Sequence, residues 1–314
     1  MNENYYRAHQ SPNLDMAGSL KGHKLALFDL ETTGFYAEQN DQVTQIAAAV
    51  VDGDSLSILG EPLNLKAALN AFHMERLKDE VFLEGIQPGY QSVHWILALN
   101  GYHPLTRYTG ETAIVELPRE DETTFPFEYN VPQKLTKEEY FQVVRDIESL
   151  PSERKVLEQA MEWVRNSKAT MAAGHNANNF DKPFLNFRLE EVYGMDPLTL
   201  GVLDTLWLAR LTLIPAIYAL EDIGDQDSRY IANALAKKKN PENLSSKLQD
   251  LRYALRIVGG LAHDAFGDIT TNLAVLVAIM EFLKKKKDIL AGLEKFEEYR
   301  RQAFVKHRDR GFKY

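Results

Sequence analysis

The 314-residue chain contains no cysteine. Disulfides, thiol nucleophiles and thiolate metal sites are therefore excluded, and a reducing cytoplasm is the expected setting. Long apolar runs are missing as well. The longest unbroken one, Leu273 to Met280, falls well short of the roughly 20 residues that cross a bilayer, so no membrane span is expected. The opening stretch MNENYYRAHQSPNLDMAGS has neither the basic start nor the apolar core of a secretory signal and reads as a loosely ordered leader. Positive charge is in deficit too. The net charge of −9 argues against a phosphate-rich partner, because such binding is driven by Lys and Arg displacing counterions. The deficit is uneven, however. KKK at 237–239, KKKK at 284–287 and the tail KHRDRGFKY concentrate the basic charge, a pattern that solvated helix ends also produce.

What the chain does have is alternating structure around a large core. An apolar strand from Lys24 to Leu30 is followed by QVTQIAAAVVDGD and then by the alternating SLSILGEPLNL, which reads as an edge strand. Three strands so close together predict an antiparallel meander. TKEEYFQVVRDIES then predicts a helix with Thr136 as N-cap and Glu139 completing a capping box. In PSERKVLEQAMEWVRNS, Val156, Leu157, Ala160, Met161 and Val164 form one apolar stripe. A short strand (ATMAAGHN), a helix stopped by Gly194, a strand-to-helix segment (LGVLDTLWLAR) and a helical last third follow. That last third comprises SKLQDLRYALRIV, DAFGDITTNLAVLVAIMEFL and a charged helix from about Lys287 to Arg301. A meander followed by alternating α/β predicts a mixed sheet flanked by helices. The pattern breaks between Lys66 and Pro132, and again from Leu211 to Asn243. The expected organisation is a leader (1–22), a discontinuous α/β domain (23–65 and 133–300), an insertion (66–132) and a basic tail (301–314).

The chemistry is concentrated where LALFDLETTG ends a buried strand with two carboxylates, Asp29 and Glu31. Side chains two apart along a strand share a face. Ionised carboxylates about 4 Å apart repel by about 4 kcal/mol at an effective dielectric near 20. A hard divalent cation such as Mg²⁺ or Mn²⁺, which prefers oxygen ligands, is the usual remedy. Elsewhere, GHNANNFDKPFL sets Asp181 at a strand-to-helix junction, and AHDAFGDIT sets His263 and Asp268 at a helix entry. Each of these, seen alone, equally suits helix capping.

Taken together, FDLETTG, HNANNFD and HDAFGD resemble the three motifs of the DEDD superfamily of 3′-to-5′ exonucleases. The His-x-x-x-x-Asp spacing of the third resembles the DEDDh branch, which includes RNase T and the proofreading subunit of bacterial replicative polymerases. LDTLWLAR and SKLQDLRYALRI are similar to segments that this family carries after its second motif and before its third. The resemblance covers about residues 24–64 and 136–285. It implies an RNase H-like exonuclease fold with a mixed five-stranded sheet, and two Mg²⁺ or Mn²⁺ ions. By the same resemblance, Asp29 would bridge both ions, Glu31 and Asp268 would complete one, and Asp181 would hold the other largely through water. His263 would be the general base, and a neutral imidazole suits that task at physiological pH. Leu30, Thr32 and Thr33 resemble the stretch that contacts the terminal 3′ nucleotide. Asn176 and Phe180 lie near enough to Asp181 to meet a base or sugar, or to pack in the core. His175 reads as structural and Asp204 as the cap of the next helix.

The implied activity is metal-dependent release of nucleoside monophosphates from single-stranded 3′ ends of DNA or RNA, with DNA favoured. The rival is a weakly catalytic or non-catalytic nucleic-acid-binding or polymerase-accessory protein on the same scaffold. It has no need of four converging carboxylates. In the insertion, Tyr90, His94, Trp95, Tyr102, Arg107 and Tyr108 suit a nucleic-acid platform, a small core, or the docking of a polymerase or other protein. Glu120, Asp121 and Glu122 would repel phosphates there.

Overall fold

The computed structural model describes residues 20–75, 102–103, 106–118, 124–133, 137–214, 217, 226–237, 240–257 and 265–285. Strands β1 (Lys24–Thr32), β2 (Val43–Asp52) and β3 (Ile58–Lys66) form the expected meander, with Leu27 opposite Ala49 and Ala48 opposite Leu63. Asp-Gly-Asp turns the chain between β2 and β3 because Asp52 Oδ1 accepts the backbone N–H groups of Asp54 and Ser55. Strand β3, which carries Gly60 at φ +73° and Pro62, lies at the sheet edge, where neither residue disrupts a two-sided ladder.

Within the stretch read as patternless, β4 (Tyr102–His103), β5 (Thr106–Pro118) and β6 (Thr124–Gln133) form a separate three-stranded antiparallel sheet. Pro118, Pro126 and Pro132 interrupt the alternation that would have revealed these strands, although the ladder still sets Val115 opposite Phe127. Tyr102, Arg107 and Tyr108 fall on these strands, whereas Tyr90, His94, Trp95 and the acidic run at 120–122 lie outside the described residues.

Helices α1 (Lys137–Glu148) and α2 (Glu153–Ser167) come next. The Thr136 cap lies outside the described residues, but α2 is capped by the Ser152 hydroxyl, which accepts from Lys155 N. Strand β7 (Met171–Gly174) leads to α3 (Asp181–Phe187), extended by a π turn at Arg188–Val192, and Gly194 follows with the left-handed φ of +62° that suits a helix stop. Strand β8 (Val202–Asp204) runs into α4 (Thr205–Leu208) and a second π turn, Ala209–Leu213. Then come α5 (Gln226–Leu235), the short pair β9 (Ala236–Lys237) and β10 (Asn240–Leu244), α6 (Leu248–Ala254) and α7 (Ala265–Lys285). The charged helix expected from Lys287 to Arg301 lies outside the described residues.

The main sheet has the order β3-β2-β1-β7-β8, with β1, β7 and β8 parallel, so it is the mixed five-stranded sheet expected. On one face, Leu25, Leu27, Ala47 and Ala49 pack with residues of α5, α6 and α7. On the other, Phe28, Leu30, Ile46 and Ala48 pack with α2 and α3, including Val156, Leu157, Ala160 and Met161 of the predicted stripe. Each large apolar side chain so buried contributes about 1.5–3 kcal/mol, and a one-residue slip of β1 would exchange its two faces.

The boundaries differ from the sequence reading in three places. Leu20, assigned to the leader, is buried in the core. Ala67, Leu69 and Met74, assigned to the insertion, are buried as well, and Ala68 N donates to Pro151 O. The apparent interruption at 211–243 contains α5, whose Ile231, Ala232 and Leu235 enter the core; one short apolar stripe among polar residues gives too little periodicity to read. In α7, Ala265–Phe282 is long and apolar enough by composition to cross a membrane, which run length did not anticipate. Half of that span is buried inside the protein, with Ile269, Val275, Leu276 and Ile279 in the core. An apolar helix of this kind suits a central core position.

Candidate metal centre

Strand β1 is apolar along its α7 side until its C-terminal end, where Asp29 and Glu31 continue the row begun by Leu25 and Leu27. That end lies at the C-terminal edge of the parallel strands, where open α/β sheets place their ligands. The β1–β2 register shifts between Glu31 and Thr32, which pair with Gln45 and Val43 respectively. Such bulges re-aim side chains beside functional sites.

Asp181 arrives from the other side of the sheet. Strand β1 pairs with β7 from Leu25 to Leu27, and beyond that ladder Leu30 N donates to Asp181 Oδ1 at 3.1 Å. The turn delivering Asp181 is held from within. Asn176 adopts φ +66°, and Asp204 accepts from Asn176 N (2.9 Å), Asn178 N (3.0 Å) and Leu206 N (3.0 Å). Asp204 therefore caps α4, as expected, and also braces the second motif. His175 spans the same region, with Nδ1 2.9 Å from Thr205 Oγ1 and Nε2 3.0 Å from Ser246 O. Its structural reading agrees with these contacts. Burial, then the carboxylates of Asp204 and Asp268, push Asp181 up to about 7 against the pull of the Leu30 N–H.

Asp268 lies in the first turn of α7. The start of that helix is fixed by Gln45, whose Oε1 accepts from Ala265 N at 3.3 Å and whose Nε2 donates to Asn64 Oδ1 at 2.9 Å. Carboxylate oxygens of Asp29, Glu31 and Asp268 all lie within 4.8 Å of one another. At that separation each ionised pair repels by about 3 kcal/mol at an effective dielectric of 20. An all-oxygen acidic set of this spacing fits a hard divalent cation. His263 lies outside the described residues.

The expected substrate residues divide by their surroundings. Leu30 is buried in the α2/α3 layer. The Thr32 hydroxyl donates to Gly34 O at 2.6 Å, while that of Thr33 donates to Asp41 Oδ1 and accepts from Gln42 N, so both tie down the β1–β2 loop. Asn176 shapes the second-motif turn, its backbone oxygen accepting from Asn179 N and Phe180 N. The Phe180 ring stacks at a tilt on Phe184 and meets Phe35 edge-on at 5.9 Å. Phe35 and Tyr36 are 66% and 55% exposed, so exposed aromatic surface adjoins Phe180, the residue before Asp181. The sequence reading passed over both, although they directly follow the first motif; Gln45, Gln249 and Arg252 carried no signal in the sequence.

Residues 122–211 match the DNA polymerase family B exonuclease domain, a span that holds the second motif but not the first or third. No curated protein matches the chain. Among solved structures, the chain is 17% identical to E. coli Exonuclease I in complex with a dT13 oligonucleotide, over 85% of this chain and 43% of that one (TM-score 0.49). A moderately thermophilic Exonuclease I from Methylocaldum szegediense is likewise 17% identical, over 86% and 43% (TM-score 0.48). The zinc-bound form of the E. coli enzyme with single-stranded DNA gives the same identity and coverage at TM-score 0.47. The chain thus spans less than half the length of these proteins. The exonuclease-domain match takes in the second motif, and the structure brings Asp29 and Glu31 of the first motif and Asp268 of the third to one sheet edge, the arrangement implied by the resemblance to the DEDD exonucleases.

Proposed function

We propose that the protein is a metal-dependent exonuclease that removes nucleoside monophosphates from single-stranded 3′ ends, with DNA as the favoured substrate. One observation carries this reading: Asp29, Glu31 and Asp268, from segments over 200 residues apart in the chain, hold their oxygens within 4.8 Å of one another. Asp181 is tied to the residue between the first two. Asp29, Glu31, Asp268 and Asp181 would hold two Mg²⁺ or Mn²⁺ ions, which when bound supply charge stabilisation for phosphodiester displacement. His263, five residues before Asp268, is the proposed general base that takes a proton from the attacking water. Phe35 and Phe180 offer ring faces and edges on which unpaired terminal bases could stack, which supports the single-strand preference. The match to a DNA polymerase exonuclease domain supports DNA over RNA.

The test uses 5′-labelled DNA and RNA oligonucleotides incubated with the purified protein, with and without Mg²⁺. A ladder shortening from the 3′ end, dependent on metal and blocked by a 3′ phosphate, is expected. Asp29→Asn should abolish it while the circular dichroism spectrum is retained. Cleavage of a circular single strand, or undiminished digestion by Asp29→Asn, would refute the proposal.

A further inference from the structure

Asp268 is the only one of the three clustered carboxylates carried by a helix, and its geometry depends on what holds its side chain once the helix is docked. Gln249 Nε2 donates to Asp268 Oδ1 at 3.1 Å. Three residues along α6, on the same helix face, Arg252 is buried and its Nη1 donates to Gln249 Oε1 at 3.4 Å. The orientation of the Gln249 amide follows from these neighbours. A guanidinium only donates and a carboxylate only accepts, so the amide oxygen must face Arg252 and the NH₂ must face Asp268. Arg252 is anchored in turn by donating Nε to Ile257 O at 3.4 Å.

We propose that Gln249, held in one orientation by Arg252, is a positioning residue that fixes the Asp268 carboxylate for metal binding. The inference rests on the metal-centre reading above. Its physical content is a division of labour between charge and geometry. Direct pairing of Arg252 with Asp268 would cancel the negative charge that a cation needs. With a neutral amide between them, the carboxylate keeps its charge, one oxygen is tethered, and rotation about the terminal side-chain bond is suppressed. Outer-sphere hydrogen bonds of this kind typically govern affinity by 10–100-fold.

The experiment is calorimetric titration of the full chain with Mn²⁺ alone, without nucleic acid, for the parent and for Gln249→Leu, Gln249→Met, Arg252→Gln, the Gln249→Leu/Arg252→Gln double variant and Asp29→Asn. The expected result for Gln249→Leu is roughly 10–100-fold weaker Mn²⁺ binding with the metal-free unfolding midpoint unchanged. Should the midpoint of that variant fall, Gln249→Met, which preserves side-chain length, carries the measurement. Arg252→Gln should weaken binding in the same direction, and the double variant should bind no more weakly than Gln249→Leu, because both act through one contact. A simple structural role would instead lower the midpoint and leave the two substitutions additive. Parent-like affinity in both Gln249 variants, with Asp29→Asn defective, overturns the positioning role alone. Parent-like binding by Asp29→Asn, or no Mn²⁺ uptake by the parent, overturns the metal centre itself.

Discussion

Burial holds His175 at about 4, well below its ordinary 6.5, and the charge of Arg210 adds to the effect while the Ser246 carbonyl opposes it. Ser246 O only accepts, so the neutral ring carries its proton on Nε2 and presents Nδ1 to Thr205. Between these two values the unfolded chain binds a proton that the folded chain does not. The stability this group contributes is therefore complete above pH 6.5 and declines as pH falls toward 4. Linkage places the loss at about 2 kcal/mol by pH 5 and about 3 kcal/mol by pH 4, taking 1.36 kcal/mol per pKa unit. The assay is urea unfolding of metal-free protein at a series of pH values, for the parent and for His175→Gln. Subtracting one curve from the other cancels the titrations the two proteins share, Asp181 among them. The stability of the parent relative to the variant should fall by about 2 kcal/mol between pH 7.5 and pH 5. Parallel curves, within about 0.5 kcal/mol over that interval, would show that His175 is not held neutral by burial and would refute the reasoning.

Glu153→Ala should cost about 3–5 kcal/mol in the same assay, because Glu153 accepts from Arg188 Nε and Nη2, Tyr193 OH and Val43 N, and its loss leaves a buried guanidinium without its partner. Gly174→Ala should destabilise by about 1–3 kcal/mol through overpacking, since a Cβ there would lie 2.5 Å from that of Ala177 and 3.1 Å from Phe28 O; unchanged stability would show that the second-motif turn yields freely. Asp204→Ala should lower stability by about 1–3 kcal/mol, as one buried and two half-buried N–H groups lose their acceptor, and should reduce the proposed exonuclease activity by displacing Asp181. A destabilised variant with full activity per folded molecule would separate Asp204 from the site.

Much of the fold was legible because periodicity reports burial. The apolar runs of β1 and β2, buried on both faces, and the stripe on α2 are direct consequences of which side chains face a core. The β5–β6 ribbon and α5 were not, since prolines in the first and a single short apolar stripe in the second leave no sustained period. At the site, residue type was informative wherever a charge had no local reason to be there, as with Glu31 beside Asp29. It was uninformative for Gln45, Gln249 and Arg252, whose importance arises only from their partners.

From the amino-acid order alone came the carboxylates, their spacing along strand and helix, and the chemistry that an all-oxygen, thiol-free donor set permits. Only tertiary structure decided that Asp29, Glu31 and Asp268 meet, that Thr32 and Thr33 spend their hydroxyls on their own loop, and that Gln249 lies against Asp268. Identity and local pattern are properties of neighbours in the chain. Convergence across a sheet edge is set by strand order, register and helix docking, which emerge only when the whole core closes.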